Sequence, residues 1–296
     1  MTRKLDQEIQ NETPVSQSTK RNLRDFPWWT VAVGIIGVVF ITMVITDTKY
    51  QETLSVLLFG RATVTALEGI ALTIVIALTS FLIAISLGLI VGFARVSKNV
   101  VVYNIATFYV EVVRGIPLVV LMLYFAYVLL PVALNLITDL GDSLNFAWMA
   151  SVHIRDIKPV WRAIAALAFG YGAYEAEVFR AGIQSIERGQ MEAARSQGMS
   201  YFQAMRYVIL PQAIRRVLPP LGNDFISMLK DSSLATVLAV PELTQLGRVL
   251  RSSTFRVFEV FNSVTILYLS MTLVLSLLVR ALERRLSGER QTDSIR

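Results

Sequence analysis

The 296-residue sequence contains no cysteine and a single histidine, His153. The first absence excludes disulfides and thiolate chemistry. The second excludes histidine-rich metal centres and histidine-based catalytic triads. Charge is also scarce: 17% of the residues are Asp, Glu, Lys or Arg, against about 25% in an ordinary soluble domain. No Gly-x4-Gly-Lys-Ser/Thr run occurs, so the chain carries no phosphate-cradling loop of that kind. What is abundant is apolar surface, with 54% of the residues hydrophobic and a mean hydropathy of +0.55.

The apolar residues collect in runs of roughly 20, the length a helix needs to cross a hydrocarbon core about 30 Å thick. Lipid offers the backbone no hydrogen-bond partners, so such runs are read as helices. Four are plain: Trp28–Thr46, Thr63–Phe93, Ile105–Leu130 and Val260–Leu282. Two more carry charge: Trp161–Gly182, with Glu175, Glu177 and Arg180, and Val217–Val240, with Asp224, Lys230 and Asp231. The expected fold is an all-α polytopic membrane protein with six transmembrane helices and both termini cytoplasmic. On that topology sixteen Lys and Arg residues lie inside and seven outside, as the positive-inside rule requires. The net charge of +6 is thereby read as orientation and not as nucleic-acid binding. Arg248, Arg251 and Arg256, assigned outside, fit least well.

The first 27 residues are polar and lack a signal peptide's apolar core; they read as a disordered cytoplasmic tail. Segment 131–160 is interrupted by Asp139, Asp142, His153, Arg155, Asp156 and Lys158. Its apolar pieces Leu134–Ile137 and Phe146–Val152 are expected to lie along the membrane interface.

The most informative stretch is the predicted cytoplasmic loop 183–216. It reads Glu192-Ala193-Ala194, three residues, Gly198, nine residues, then Val208-Ile209-Leu210-Pro211. Alanines make a slim helix, Gly198 can end it and Ser200 can cap the next. Tyr201, Phe202, Met205 and Val208-Ile209 then form an apolar stripe at helical spacing. Such a knob suits a groove on a partner.

This pattern resembles the EAA signature of binding-protein-dependent ABC transporter permeases, with Val208 in the place of the usual Ile. Tyr109–Leu118, Ala173–Ile183, Pro219-Pro220-Leu221-Gly222-Asn223 and Leu229–Leu234 resemble further motifs of the polar amino acid uptake family. The likeness covers about 61–285. It implies an ABC permease domain over 61–285, an extra helix at 28–46 and a cytoplasmic tail at 286–296. It also implies partners: a cytoplasmic ATPase that binds ATP and Mg, a second permease copy or paralogue, an extracytoplasmic binding protein, and an amino-acid substrate. The setting is a bacterial plasma (inner) membrane. Glu192, Ala193, Ala194, Gly198, Leu210 and Pro211 would then couple to the ATPase. The first helix and the 131–160 segment lean the substrate towards acidic, amide or broad-range amino acids. An opine or an amine is the alternative within the family.

Intramembrane charges are costly and each is a functional candidate. Glu111 and Arg114, like Glu177 and Arg180, are three apart and can pair on one helical face; with Pro117 they are read as helix-stabilising or gating. Lys230 and Asp231 are adjacent and cannot face each other on a helix. Lys230, Ser232, Ser233 and Asn223 can serve a substrate carboxylate, and Asp224 or Glu175 an ammonium; Asp231 is a further candidate on the substrate path. Packing against the second permease copy explains the same residues equally well. Pro219-Pro220 and Gly222 permit a broken helix there. An ion-coupled secondary carrier would use Glu111, Glu177 or Asp231, but its inverted repeats are not visible. An intramembrane enzyme lacks the residues for catalysis, and no metal site is expected.

Overall fold

The fold is that of a computed structural model, which describes residues 28–59, 68–144, 146, 151 and 153–293. The predicted tail 1–27 and most of Phe146–Val152 lie outside the described residues. Regular structure among those described is helical, apart from one parallel bridge between Gly69 and Glu242. By contacts the chain divides into two units, residues 1–48 and 49–296.

The described part of the first unit is α1 (Trp28–Thr46), which matches the predicted span end to end. Apolar residues surround its whole circumference, the pattern of a helix immersed in lipid.

The larger unit opens with α2 (Thr48–Phe59), a helix that hydropathy did not reveal because it is short and mixed. Its Leu57 is fully buried with Leu243, Leu246, Val260 and Val264. Next come α3 (Gly69–Ala94), α4 (Val100–Arg114) and the apolar Leu118–Leu144, here α5. The predicted third span Ile105–Leu130 is thus corrected to two helices. Gly115-Ile116-Pro117 separates them, because proline disfavours the helical conformation in the residue before it. Pro117 has ψ 135° and the chain restarts at Leu118. Leu134–Ile137, expected as a separate interfacial piece, is the continuation of α5. A π turn at Phe125–Leu129 lies within it.

The chain then forms α6 (Pro159–Gln184), α7 (Arg188–Ser196), a short turn Tyr201–Ala204, a π turn Met205–Ile209 and α8 (Leu210–Asp231). The fifth predicted span therefore begins earlier and ends at Asp231. A tight 3-10 turn, Ser232–Leu238, follows. Pro219 and Pro220 lie inside α8, which does not break where a break was expected. Neither proline has an amide to donate to the carbonyl four residues earlier, and those positions, 215 and 216, are exposed. Last come α9 (Leu243–Thr254) and α10 (Val257–Asp293); α10 carries helix into the predicted tail 286–296. Among the described residues, Gly69–Ala94, Leu118–Leu144 and Val257–Arg284 are long and apolar enough to cross a membrane. α6 is as long as α3 but charged, so hydropathy alone passes over it.

α3 packs along α6 with almost nothing between the backbones. A Cβ added at Gly88 would stand 2.4 Å from the Cβ of Glu175, and one at Gly92 2.8 Å from that of Phe179. Small residues let membrane helices approach in this way. Around this pair Ile76, Met122, Ala163, Leu167 and Ala235 close the main core.

Beyond the helix ends, Glu242 is fully buried as the N-cap of α9. Its carboxylate accepts from the Thr244 and Gln245 amides at 2.9 and 2.8 Å and from the Tyr268 hydroxyl at 2.9 Å. Burial nevertheless pushes this carboxyl up, from the usual 4.5 to about 7. The folded chain therefore holds the proton more tightly than the unfolded chain does. Its contribution to stability is complete below about 4.5 and is lost as the pH rises through about 7, the sign that linkage demands. Thermal midpoints in detergent between pH 5 and 8 are expected to fall less steeply in Glu242→Gln than in the parent.

Candidate functional site

The EAA stretch folds as its residue types dictate. α7 holds Glu192 and Ala193 exposed and Ala194 buried. It ends in a paired-carbonyl cap: the Met199 amide donates to Ala194 O at 3.2 Å and the Gly198 amide to Arg195 O at 3.0 Å. That geometry needs a left-handed residue at the second position past the helix, and Gly198 supplies it with φ +84°. Ser200 then caps the following turn. Its hydroxyl accepts from the Gln203 amide at 3.3 Å, and the Gln203 side chain accepts from the Ser200 amide at 2.8 Å, a reciprocal capping box.

The apolar stripe divides between two faces. Ile209 is buried with Ile186 and Ala213, and Met205 and Val208 pack on them. Phe202 is 84% exposed, with Tyr201 and Tyr207 exposed beside it. Leu210 is half-buried and Pro211 exposed at the start of α8.

The charges are organised by a residue that spacing did not single out. Arg95, at the end of α3 and only 9% exposed, donates to Glu177 at 2.5 Å and stands 3.6 Å from Glu111. Glu177 also takes Arg180 from its own helix, with Nε at 2.9 Å. The expected Glu177–Arg180 pair is therefore present, whereas the expected Glu111–Arg114 pair is not. Arg114 instead lies over the Tyr174 ring, 5.4 Å from its centroid. Arg95 thus joins α3, α4 and α6. Removing it in Arg95→Ala is expected to cost about 1–3 kcal/mol of charge-assisted hydrogen bonding. Arg114→Ala removes a cation–π contact worth only about 0.5–1 kcal/mol at an exposed site. Thermal midpoints of the two variants in detergent test the order; a larger loss for Arg114→Ala would contradict it.

The proposed path residues do not form one open site. Asn223 and Lys230 are exposed, and Asp224, Asp231 and Ser233 half-buried. Asp231 accepts from the Tyr171 hydroxyl at 2.7 Å. Ser232 is buried and its hydroxyl donates to Leu229 O at 2.7 Å, closing its own helix end. Glu175 is wholly buried against Gly88, and neither carboxylate oxygen has a hydrogen-bond partner among the described residues. Tyr171 and Arg95 are the two residues that sequence spacing missed. Each acts across a helix-helix contact and has no signature along the chain.

Residues 84–288 match the family described as binding-protein-dependent transport system inner membrane component. The chain is similar to the glutamine transport system permease protein GlnP of Escherichia coli (strain K12), at 38% identity over 74% of this chain and 92% of that protein. It is also similar to the nopaline transport system permease protein NocM of Agrobacterium fabrum, at 35% identity over 73% of this chain and 86% of that protein. Among solved structures, a crystal structure of an amino acid ABC transporter with histidines aligns with TM-score 0.63 and 33% identity, over 83% of this chain and 98% of that one. A bacterial transporter for the acidic polysaccharide alginate, 16% identical with TM-score 0.55, shares the fold alone. With the EAA stretch and the helix arrangement, these likenesses mean that the chain belongs to the binding-protein-dependent transport system inner membrane components, as an ABC amino-acid permease and not an enzyme.

Proposed function

We infer that the chain forms the translocation path of an ATP-driven amino-acid importer and receives its drive through residues 188–211. The observation that carries the coupling role is the knob made by Gly198 and Ser200, which holds Phe202 84% exposed. A ring so placed on a rigid double cap fits a hydrophobic groove on a partner. The partner proposed is a cytoplasmic ATPase that brings its own ATP and Mg. A second permease, identical or paralogous, and an extracytoplasmic binding protein complete the importer. Glu192, Ala193, Ala194, Leu210 and Pro211 set the shape and attachment of the knob.

For the substrate, Asp224 and Asp231 are proposed to meet an ammonium, and Lys230 and Asn223 a carboxylate, the two ends of an amino-acid zwitterion. The Tyr171 hydrogen bond orients Asp231. The glutamine permease relatives favour a polar or amide amino acid; the nopaline relative makes an opine the second reading.

The test is reconstitution of the chain with its ATPase and binding protein in liposomes. ATP-dependent uptake of labelled glutamine, lost in Phe202→Asp while complex with the binding protein persists, supports the reading. Uptake that proceeds equally without the ATPase would overturn it.

A further inference from the structure

Beside the knob lies a cleft of about 600 Å³, walled by the end of α3, by α4, by the end of α6 and by α7. Its lining has two characters. Ile183, Met191, Met205 and Ile209 are apolar, whereas Arg95 and Arg188 are cationic. Arg95 is 9% exposed, and its Nε is buried without a hydrogen-bond partner while its other nitrogens serve Glu177 and Glu111. α7 begins at the same wall, and Glu187 at its N-cap makes no capping bond to the first amides. A nine-residue helix start left open carries partial positive charge and free N–H donors. The exposed Glu187 carboxylate is the one lining group that opposes an anion.

The cleft also sits where a lipid would reach it. Segment 94–104, which contributes Arg95, Val96, Ser97 and Tyr103, is on the side that charge counting assigns to the cytoplasm. From there α4 runs on with Val101, Ile105 and Phe108 exposed, an apolar flank leading away from the cationic wall. Basic pockets between membrane helices on the cytoplasmic side suit anionic headgroups. Ile183, Met191, Met205 and Ile209 also belong to the apolar cluster beneath the knob, so it is the exposed apolar flank of α4 that favours a lipid over a soluble anion.

The geometry points to this cleft as a binding site for the phosphate headgroup and first acyl carbons of an anionic phospholipid. It does not depend on the coupling role proposed above. A lipid seated there would touch α3, α4, α6 and α7 together and stiffen the base of the knob.

Native mass spectrometry of the detergent-purified chain, titrated with phosphatidylglycerol or phosphatidylcholine, tests it. The parent should retain phosphatidylglycerol preferentially. Arg188→Glu reverses an exposed charge, which should leave folding intact, and is expected to weaken that retention about tenfold or more, given roughly 1 kcal/mol per basic residue near an anionic surface. Met205→Trp, which fills the apolar half, should weaken it as well, with both variants keeping the parent elution volume. Unchanged phosphatidylglycerol retention in both variants would overturn the assignment. Displacement of the lipid by equimolar glycerol phosphate would overturn it too, by making the ligand a soluble phosphate.

Discussion

Gly198→Val is expected to lower ATP-dependent uptake by about tenfold or more while leaving the inserted protein at its normal level. The reason is backbone geometry. Gly198 sits at φ +84°, and a Cβ there would meet nothing within 4 Å, so crowding is not the obstacle. An L side chain in the left-handed region costs about 1–2 kcal/mol, and a β-branched one is a genuine outlier there. Since about 1.4 kcal/mol is a factor of ten in an equilibrium, a penalty of this size is enough to depopulate the cap. The Met199 and Gly198 amides then lose their carbonyls, and Phe202 is no longer held where a partner would find it. Asparagine visits the same region more readily, so Gly198→Asn should restore most of the uptake. Uptake in proteoliposomes, normalised to inserted protein, gives the answer. Equal activity in parent, Val and Asn variants would remove the cap from the coupling argument.

The second large effect falls on folding. Gly88→Leu is expected to abolish recovery of monodisperse protein. The added Cβ alone would lie 2.4 Å from the Cβ of Glu175 and 3.0 Å from the amide nitrogen of Ala176. The nearest obstacle is carried directly on the α6 backbone, so it cannot swing aside as a long side chain would. Overpacking in a filled core costs about 1–3 kcal/mol, occasionally more, and α3 has a second close contact one turn later at Gly92. Separating the helices enough to admit Leu would forfeit both. Gly189→Ala is the control, since a Cβ at Gly189 meets nothing within 4 Å and alanine is the better helix former. Size-exclusion profiles after graded heating should show the control unchanged and Gly88→Leu aggregated. A Gly88→Leu variant with the parent's melting midpoint would mean that α3 and α6 are not in contact as described.

What the sequence made legible was local. The bounds of α1, the glycine ending of α7 and the Ser200 cap each follow from a few consecutive residues, and the structure agrees with all three. The charged helix α6 satisfies the charge count between the two sides of the membrane, although hydropathy alone passes over it. The errors arose where a distant residue decides. Glu111 has Arg114 at ideal spacing, yet Arg95 arrives from the end of α3, and that approach has no trace along the chain. The apolar run across Ile105–Leu130 hid the break at Gly115-Ile116-Pro117, because hydropathy averages over a proline that backbone sterics do not ignore. α2 was missed for the opposite reason: its burial depends on Leu243 and Val260, far away in sequence. Of the candidate path, Ser232 and Glu175 had the right chemistry but are sealed from any open surface. The proposed coupling element, by contrast, is a run of about twenty residues whose caps and turns are set by their own neighbours, which is why its shape could be anticipated.

The π turn at Met205–Ile209 gives the motif's spacing a further meaning. Such a turn holds one residue more than the regular helix on either side. Each residue added to or removed from a regular helix swings everything beyond it by about 100°. Nine residues stand between Gly198 and Val208, and the surplus one is accommodated here, between the knob and the start of α8. The interval therefore acts as a phase setting: it fixes which side of α8 points in the direction that Phe202 faces. Shortening the chain by one residue inside Met205–Ile209 can be absorbed as ordinary helix with the phase kept. The same deletion inside α8 would turn Asp231 away from Tyr171.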